Sequence, residues 1–134
     1  MTIFDRYENG KGTIIPFDNI PLTGHIKGIL PQYFGDKAER LVAEGNLYYN
    51  INYNGIGFHG DAERKIVIAI RLGHSFPLRF QWYHQGISIG NYTDINLNSG
   101  DIYIMSEKAT GYDWKKKLIP TLRHAAGCDD CIGL

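Results

Sequence analysis

The sequence predicts a mainly β chain, folded as a sandwich or jelly roll with a single sizeable helix near its start. Apolar stretches, roughly seven to nine of them, recur about every ten residues with turn residues between them, the pattern of an all-β layered fold. Only residues 36–44 combine helix-forming composition with a capping signal. At 134 residues, 43% of them hydrophobic, the chain suffices for one core and leaves little room for a second.

In chain order, residues 1–12 are polar and carry Asn9-Gly10 and Lys11-Gly12, so an irregular start is expected. Thr13 to Phe17 reads as a short strand that Pro16 pushes to an edge, and Gly24 to Leu30 as another, closed by Pro31. Asp36 then offers an N-cap with Glu39 three residues on, and Ala38 to Glu44 supplies helix formers before Gly45. Residues 1–45 are thus an N-terminal extension with a helix over 36–44, and 46–127 the core of one 134-residue domain.

Within that core, Asn46 to Tyr53 is dense in Tyr, Ile and Asn and reads as a strand. Ile66 to Leu72 is an apolar, β-branched run that Gly73 ends, the pattern of a buried strand. Pro77 to Tyr83 alternates, with Leu78, Phe80 and Trp82 on one face and Arg79 and Gln81 on the other. Gln85-Gly86 is a turn, Tyr92 to Leu97 a strand, Asn98 to Gly100 a turn and Asp101 to Ser106 a strand. The pattern fails from Glu107 to Lys117, and Thr121 to Ala126 reads as the last strand.

Charge narrows the function. Lys plus Arg and Asp plus Glu number 14 each, which removes any global pull toward nucleic acid or acidic membrane while leaving local patches open. The N-terminus has neither a basic nor an apolar signal region and no window reaches membrane-spanning length, so a soluble, intracellular (cytoplasmic or nuclear) protein with no membrane partner is expected. Cys128 and Cys131 form a lone C-x-x-C, read as free thiols on a loose tail.

The chemistry-bearing stretch is Gly57-Phe58-His59-Gly60-Asp61-Ala62-Glu63. In an extended segment, side chains two apart share a face, so His59 and Asp61 can point at one ion. A third ligand would complete a two-histidine, one-carboxylate triad, which suits ferrous iron and leaves positions open for a cosubstrate and dioxygen. The bland reading of a bare His-x-Asp is a polar surface turn. His25, His74 and His84 read as ordinary polar positions, and Glu63 as a surface partner of Arg64 or Lys65.

Taken with its surroundings, this stretch resembles the AlkB-like branch of the Fe(II)- and 2-oxoglutarate-dependent dioxygenases. Asn46-Leu47-Tyr48 is similar to the family's Asn-x-Tyr strand and His59 to Glu63 to its His-x-Asp-x-Glu signature; Ile70 to Gly73 with Leu78 to Phe80 is similar to its hairpin, and Gly100 to Ser106 to its G-D-L-L-V-M-S strand. The similarity covers about residues 46–127 and implies a double-stranded β-helix, or jelly roll. It also implies iron ligation by His59 and Asp61, with Asn46 and Tyr48 holding 2-oxoglutarate.

The final part departs from the family pattern. Tyr112-Asp113-Trp114-Lys115-Lys116 puts Lys116 where the family's distal histidine would stand, and a protonated lysine offers no acceptor to iron. The only downstream imidazole is His124. On one reading His124 is the third ligand, displaced by a longer 107–118 loop; on the other, Arg123 is the cosubstrate arginine and no distal histidine exists. Neighbours on a regular strand face opposite ways, so both could serve only on a bulged strand. The reading adopted takes His124 as the third ligand, with Arg123, Arg71 and Arg79 as candidates for a bidentate grip on the cosubstrate carboxylate.

The resemblance implies an oxygenase that consumes 2-oxoglutarate and O2 and hydroxylates a C–H bond; on an N-methyl group this amounts to demethylation of an alkylated nucleobase in DNA or RNA. Tyr112, Trp114 and Lys116 are the candidate contacts to an exposed base and its phosphate, against the plainer view of a solvated lysine loop. A hydroxylase of a small molecule or protein side chain is the enzymatic alternative. A catalytically degenerate jelly roll that binds single-stranded nucleic acid is the non-enzymatic one.

Overall fold

The computed structural model describes residues 14–132; the irregular start expected over 1–12, and Thr13, lie outside them. The chain falls into two compact units, Met1–Gly45 and Asn46–Leu134.

In the first unit, a 3-10 turn at Phe17–Asn19 leads into α1, Pro21–Phe34, and a second 3-10 turn follows at Gly35–Ala38. This corrects three expectations. The strand read over Gly24 to Leu30 is the middle of α1: Pro21 presets the first helical turn, and Leu22, Ile26 and Ile29 recur at helical spacing. The helix read over 36–44 does not form. Its capping signal yields one 3-10 turn, closed by the Glu39 N–H donating to the Asp36 carbonyl at 3.2 Å, because α1 has already ended at Gly35, φ 66°. No strand forms in residues 14–17 either, Phe17 opening the first 3-10 turn.

The second unit is mainly β. Its strands are β1 Gly55–His59, β2 Val67–Ile70, β3 Phe76–His84, β4 Ile87–Leu97, β5 Ile102–Met105 and β6 Thr121–Gly127, with a one-turn helix, α2, at Glu107–Thr110. Asn46 to Tyr53 is not a strand. Its asparagines turn the chain locally: the Asn54 side chain accepts from the Asn50 N–H at 2.7 Å and that of Asn50 from the Asn52 N–H at 3.0 Å, in competition with a ladder. The β3–β4 turn at Gln85-Gly86 has both residues at positive φ, 52° and 82°, the two-residue hairpin geometry that matches strand twist.

All pairings are antiparallel, in a four-stranded sheet of order β1-β6-β3-β4 and a two-stranded sheet of β2 and β5. The chain therefore passes from the first sheet to the second after β1, returns for β3 and β4, leaves again for β5 and comes back for β6. Leu78 and Leu97 from the larger sheet and Met105 from the smaller form the buried core, with Phe80, Ala126, Val67, Tyr103 and Ala109 packed against them. This core fixes which face of β6 turns inward: Ala126 stands opposite Leu78 and His124 opposite Phe80.

The other face of β3 is buried as well. Arg79, 7% exposed, makes a bidentate pair with Asp94 at 2.7 and 2.8 Å and lies 3.7 Å from the Tyr92 ring centroid. Trp82, expected on the buried face, is 41% exposed because it stands near the end of the strand, beyond the core. The cysteines depart from expectation too: Cys128 and Cys131 are joined in a disulfide, and Ile132 beside them is fully buried.

Candidate metal centre

β1 and β6 pair so that His59 and His124 are register partners, with their rings 4.4 Å apart edge to face. A register shift between Ile56 and His59 falls within β1, which ends at His59, and Asp61 lies beyond the strand. The two ligands are therefore not delivered by one extended strand. Asp61 comes round through Gly60, its backbone N–H donating to the Thr110 carbonyl at 2.8 Å.

Close backbone approach makes that path possible. A side chain on Gly60 would collide with the Gly111 carbonyl and would come within 2.6 Å of Trp114; Gly111, at φ 72°, closes α2 against Gly60. Thr110, fully buried, donates its hydroxyl toward the Arg64 carbonyl at 2.9 Å and the Glu107 carbonyl at 2.7 Å. α2 thus holds the segment Asp61 to Arg64 from behind. Sequence reasoning missed this support, although Ser106 as N-cap and Gly111 behind the short helix were a legible pair of start and stop signals.

The side chains converge. His59 Nε2 lies 3.9 Å from Asp61 Oδ1 and His124 Nε2 lies 3.5 Å from Asp61 Oδ2, and one ligand atom from each of the three falls within 4.8 Å of the others. His59 Nδ1 is 2.7 Å from the Gly57 carbonyl. That oxygen can only accept, so Nδ1 carries the proton and Nε2 presents its lone pair to the cluster. Desolvation, first, and the neighbouring His59 lower the His124 pKa from the ordinary histidine value to about 4, against the opposing pull of Asp61. His124, 6% exposed, is then a neutral imidazole near pH 7, the form that ligates metal. Its buried Nδ1 has no well-formed hydrogen bond, although the Ala109 backbone favours the protonated form.

The donor set fits a divalent transition metal, being two imidazoles and one carboxylate on three converging atoms. Bonds of about 2.0–2.2 Å put neighbouring ligand atoms about 3 Å apart, so the side chains need draw in by only about 1 Å.

Of the other sequence candidates, Arg71 and Tyr48 lie together. The Arg71 guanidinium is 6.0 Å from the Tyr48 ring and 5.8 Å from Phe76, and these two rings stack edge to face at 5.5 Å. Arg71 is 9% exposed, and its buried Nη1 has no hydrogen-bond partner among the described residues. Tyr103, which sequence reasoning did not single out, lies within electrostatic reach of both Arg71 and Asp61; burial raises its hydroxyl pKa, as it does that of Tyr48. Asn46 is exposed in the irregular segment before Tyr48.

Arg123 is placed elsewhere. β6 pairs regularly with β3 here, Gln81 opposite Arg123 and Phe80 opposite His124, so the two neighbours face opposite ways. Arg123 lies between aromatic rings, 4.0 Å from Tyr83 and 5.3 Å from Trp114. Trp114 is half-buried, while Tyr112, 40% exposed, and Lys116 are on the surface.

The chain is 54% identical over 127 residues to an uncharacterized protein of Acanthamoeba polyphaga mimivirus, a match that takes in 95% of this chain and 49% of the relative. The chain thus spans about half the length of the curated relative it matches. No family model matches the sequence. No solved structure matches it.

Proposed function

We propose that this protein is an Fe(II)- and 2-oxoglutarate-dependent oxygenase whose metal is held by His59, Asp61 and His124. The convergence of two imidazole nitrogens and a carboxylate within 4.8 Å carries the reading. The passage of the chain between a four-stranded and a two-stranded antiparallel sheet supports a jelly-roll framework for it. Iron bound there with 2-oxoglutarate supplies the activation of dioxygen and the hydroxylation of a C–H bond.

The chain's own residues have separate tasks. His59 offers Nε2 because its other nitrogen is committed to Gly57, and His124 offers a neutral ring because it is buried. Arg71 is the preferred carboxylate anchor: its orphaned Nη1 lacks an acceptor that a carboxylate would supply, and the Tyr48 and Tyr103 hydroxyls are the adjacent donors. Phe80, 6.1 Å from the His124 ring, supplies an apolar wall that keeps water from the reacting side. The substrate reading follows the resemblance, an alkylated nucleobase met by Tyr112 and Trp114 with Lys116 toward its phosphate.

Anaerobic titration of the protein with Fe(II), with and without 2-oxoglutarate, tests this reading. A visible charge-transfer band that needs both components and is lost in His124→Ala is the expected result. A wild-type protein that gives no band overturns the assignment and leaves the nucleic-acid-binding module as the better account.

A further inference from the structure

The disulfide lies at the far end of the two strands that carry the paired histidines. β6 ends at Gly127, the register partner of Gly55 at the start of β1, and Cys128 follows directly. Here the chain folds back onto β1. The Cys128 N–H donates to the Asn54 carbonyl at 3.1 Å, and the Cys131 and Ile132 N–H groups return to the Cys128 carbonyl at 2.9 and 3.1 Å. Cys131 occupies the space a side chain at Gly55 would need, and Ile132 is fully buried. The four-residue disulfide loop is therefore seated against β1 and covalently closed.

Asp129 and Asp130, both exposed, stand between the cysteines and disfavour thiolate formation, which argues against a nucleophilic redox centre and for a structural clasp. Both cysteines are partly exposed, within reach of a small reductant.

We propose that the Cys128–Cys131 disulfide is a redox-sensitive clasp on the β1–β6 pair: reduction frees the loop from β1, loosens the pairing that sets His59 opposite His124, and weakens metal binding between them. The effect on metal rests on the proposed metal centre; the effect on the strands does not. The change is a two-electron reduction. With a trialkylphosphine as reductant, the S–S bond breaks to two thiols, taking up two protons, and the phosphine becomes its oxide with the oxygen of one water. Because these are the chain's two cysteines, the reagent has one target.

The test compares amide hydrogen exchange of the oxidised and phosphine-reduced protein over residues 55–59 and 121–127, and Co(II) affinity of the oxidised wild type with that of the Cys128→Ser/Cys131→Ser double variant, which has no thiols to bind the ion. Exchange in both strands is expected to rise on the order of tenfold, and Co(II) affinity to fall by a similar factor in the variant. Unchanged exchange on reduction overturns the clasp, and it can be read on wild-type protein even if the variant does not fold. Uptake of alkylating reagent by the unreduced protein overturns it as well. Oxidised protein that binds no Co(II) overturns the metal reading and the clasp's influence on affinity, whereas increased exchange in that case still supports the clasp on the strands.

Discussion

His59 and His124 stand opposite one another on β1 and β6 with their rings 4.4 Å apart, and Asp61 reaches both from beyond the end of β1. Two imidazoles and a carboxylate in this arrangement bring three potential ligand atoms together at one point, which a cation can occupy. His59→Ala, His124→Ala and Asp61→Asn are each expected to weaken Co(II) or Fe(II) binding by at least roughly 100-fold. The check is thermal melting with and without the ion: an ion concentration of about 100 times the wild-type Kd adds about 2.7 kcal/mol to the wild type, and the variants should gain no more than about 0.4 kcal/mol at the same concentration.

Arg71 and Arg123 have different surroundings, Arg71 beside the Tyr48 and Phe76 rings and Arg123 between those of Tyr83 and Trp114. Arg71→Gln is expected to leave Co(II) affinity within about threefold of wild type while weakening 2-oxoglutarate binding to the metal-loaded protein by roughly 10- to 100-fold. Arg123→Gln, on the other face of β6 from His124, should leave cosubstrate affinity unchanged. Calorimetric titration of both variants decides between them; equal losses would remove Arg71 as the anchor.

How much of this was legible in the sequence depended on which physical signal each segment obeyed. The alternation in Leu78 and Phe80 gave the inner face of β3, since a strand in a two-layer fold must bury every second residue. Its outer face was less legible, because the burial of Arg79 rests on Asp94 and Tyr92, which only the β3–β4 register brings alongside. Over residues 21–34, the reading of Gly24 to Leu30 as a strand closed by Pro31 overlooks the 3.6-residue recurrence of Leu22, Ile26 and Ile29. Spacing named His59 and Asp61, but the turn that unites them depends on Gly60 meeting Gly111, a long-range contact with no local pattern. The disulfide was hidden for a similar reason. What seats Cys131 is the absent side chain of Gly55.

Gly60→Ala tests whether that turn holds the centre. Its added methyl would strike the Gly111 carbonyl and Trp114, both held by backbone bonds around α2, at a cost of about 1–3 kcal/mol and with displacement of Asp61. Gly57→Ala is the control, since its nearest neighbour is the Cys131 carbonyl at 3.8 Å and the change should stay within about 0.5 kcal/mol. Denaturant melts and Co(II) titrations should show the first variant losing both stability and metal, and the second neither. Retention of full metal affinity in Gly60→Ala would mean that Asp61 does not depend on this crossing.

The buried imidazole also fixes how metal-free protein responds to acid. His124 has its pKa lowered from 6.5 to about 4, chiefly by desolvation and then by His59. Between those values the unfolded chain binds a proton that the folded one refuses, so stability rises with pH across this window and levels off above about 6.5. The contribution present at pH 7 is on the order of 3 kcal/mol, lost progressively as pH falls toward 4. Urea melts of the metal-free protein at intervals from pH 4 to 7 should show this slope, and His124→Leu, which cannot charge, should flatten it. Because ligation also needs the neutral ring, Co(II) affinity of the wild type should fall on acidification. An identical pH slope in wild type and His124→Leu would show that His124 is not the group excluded from protonation by folding.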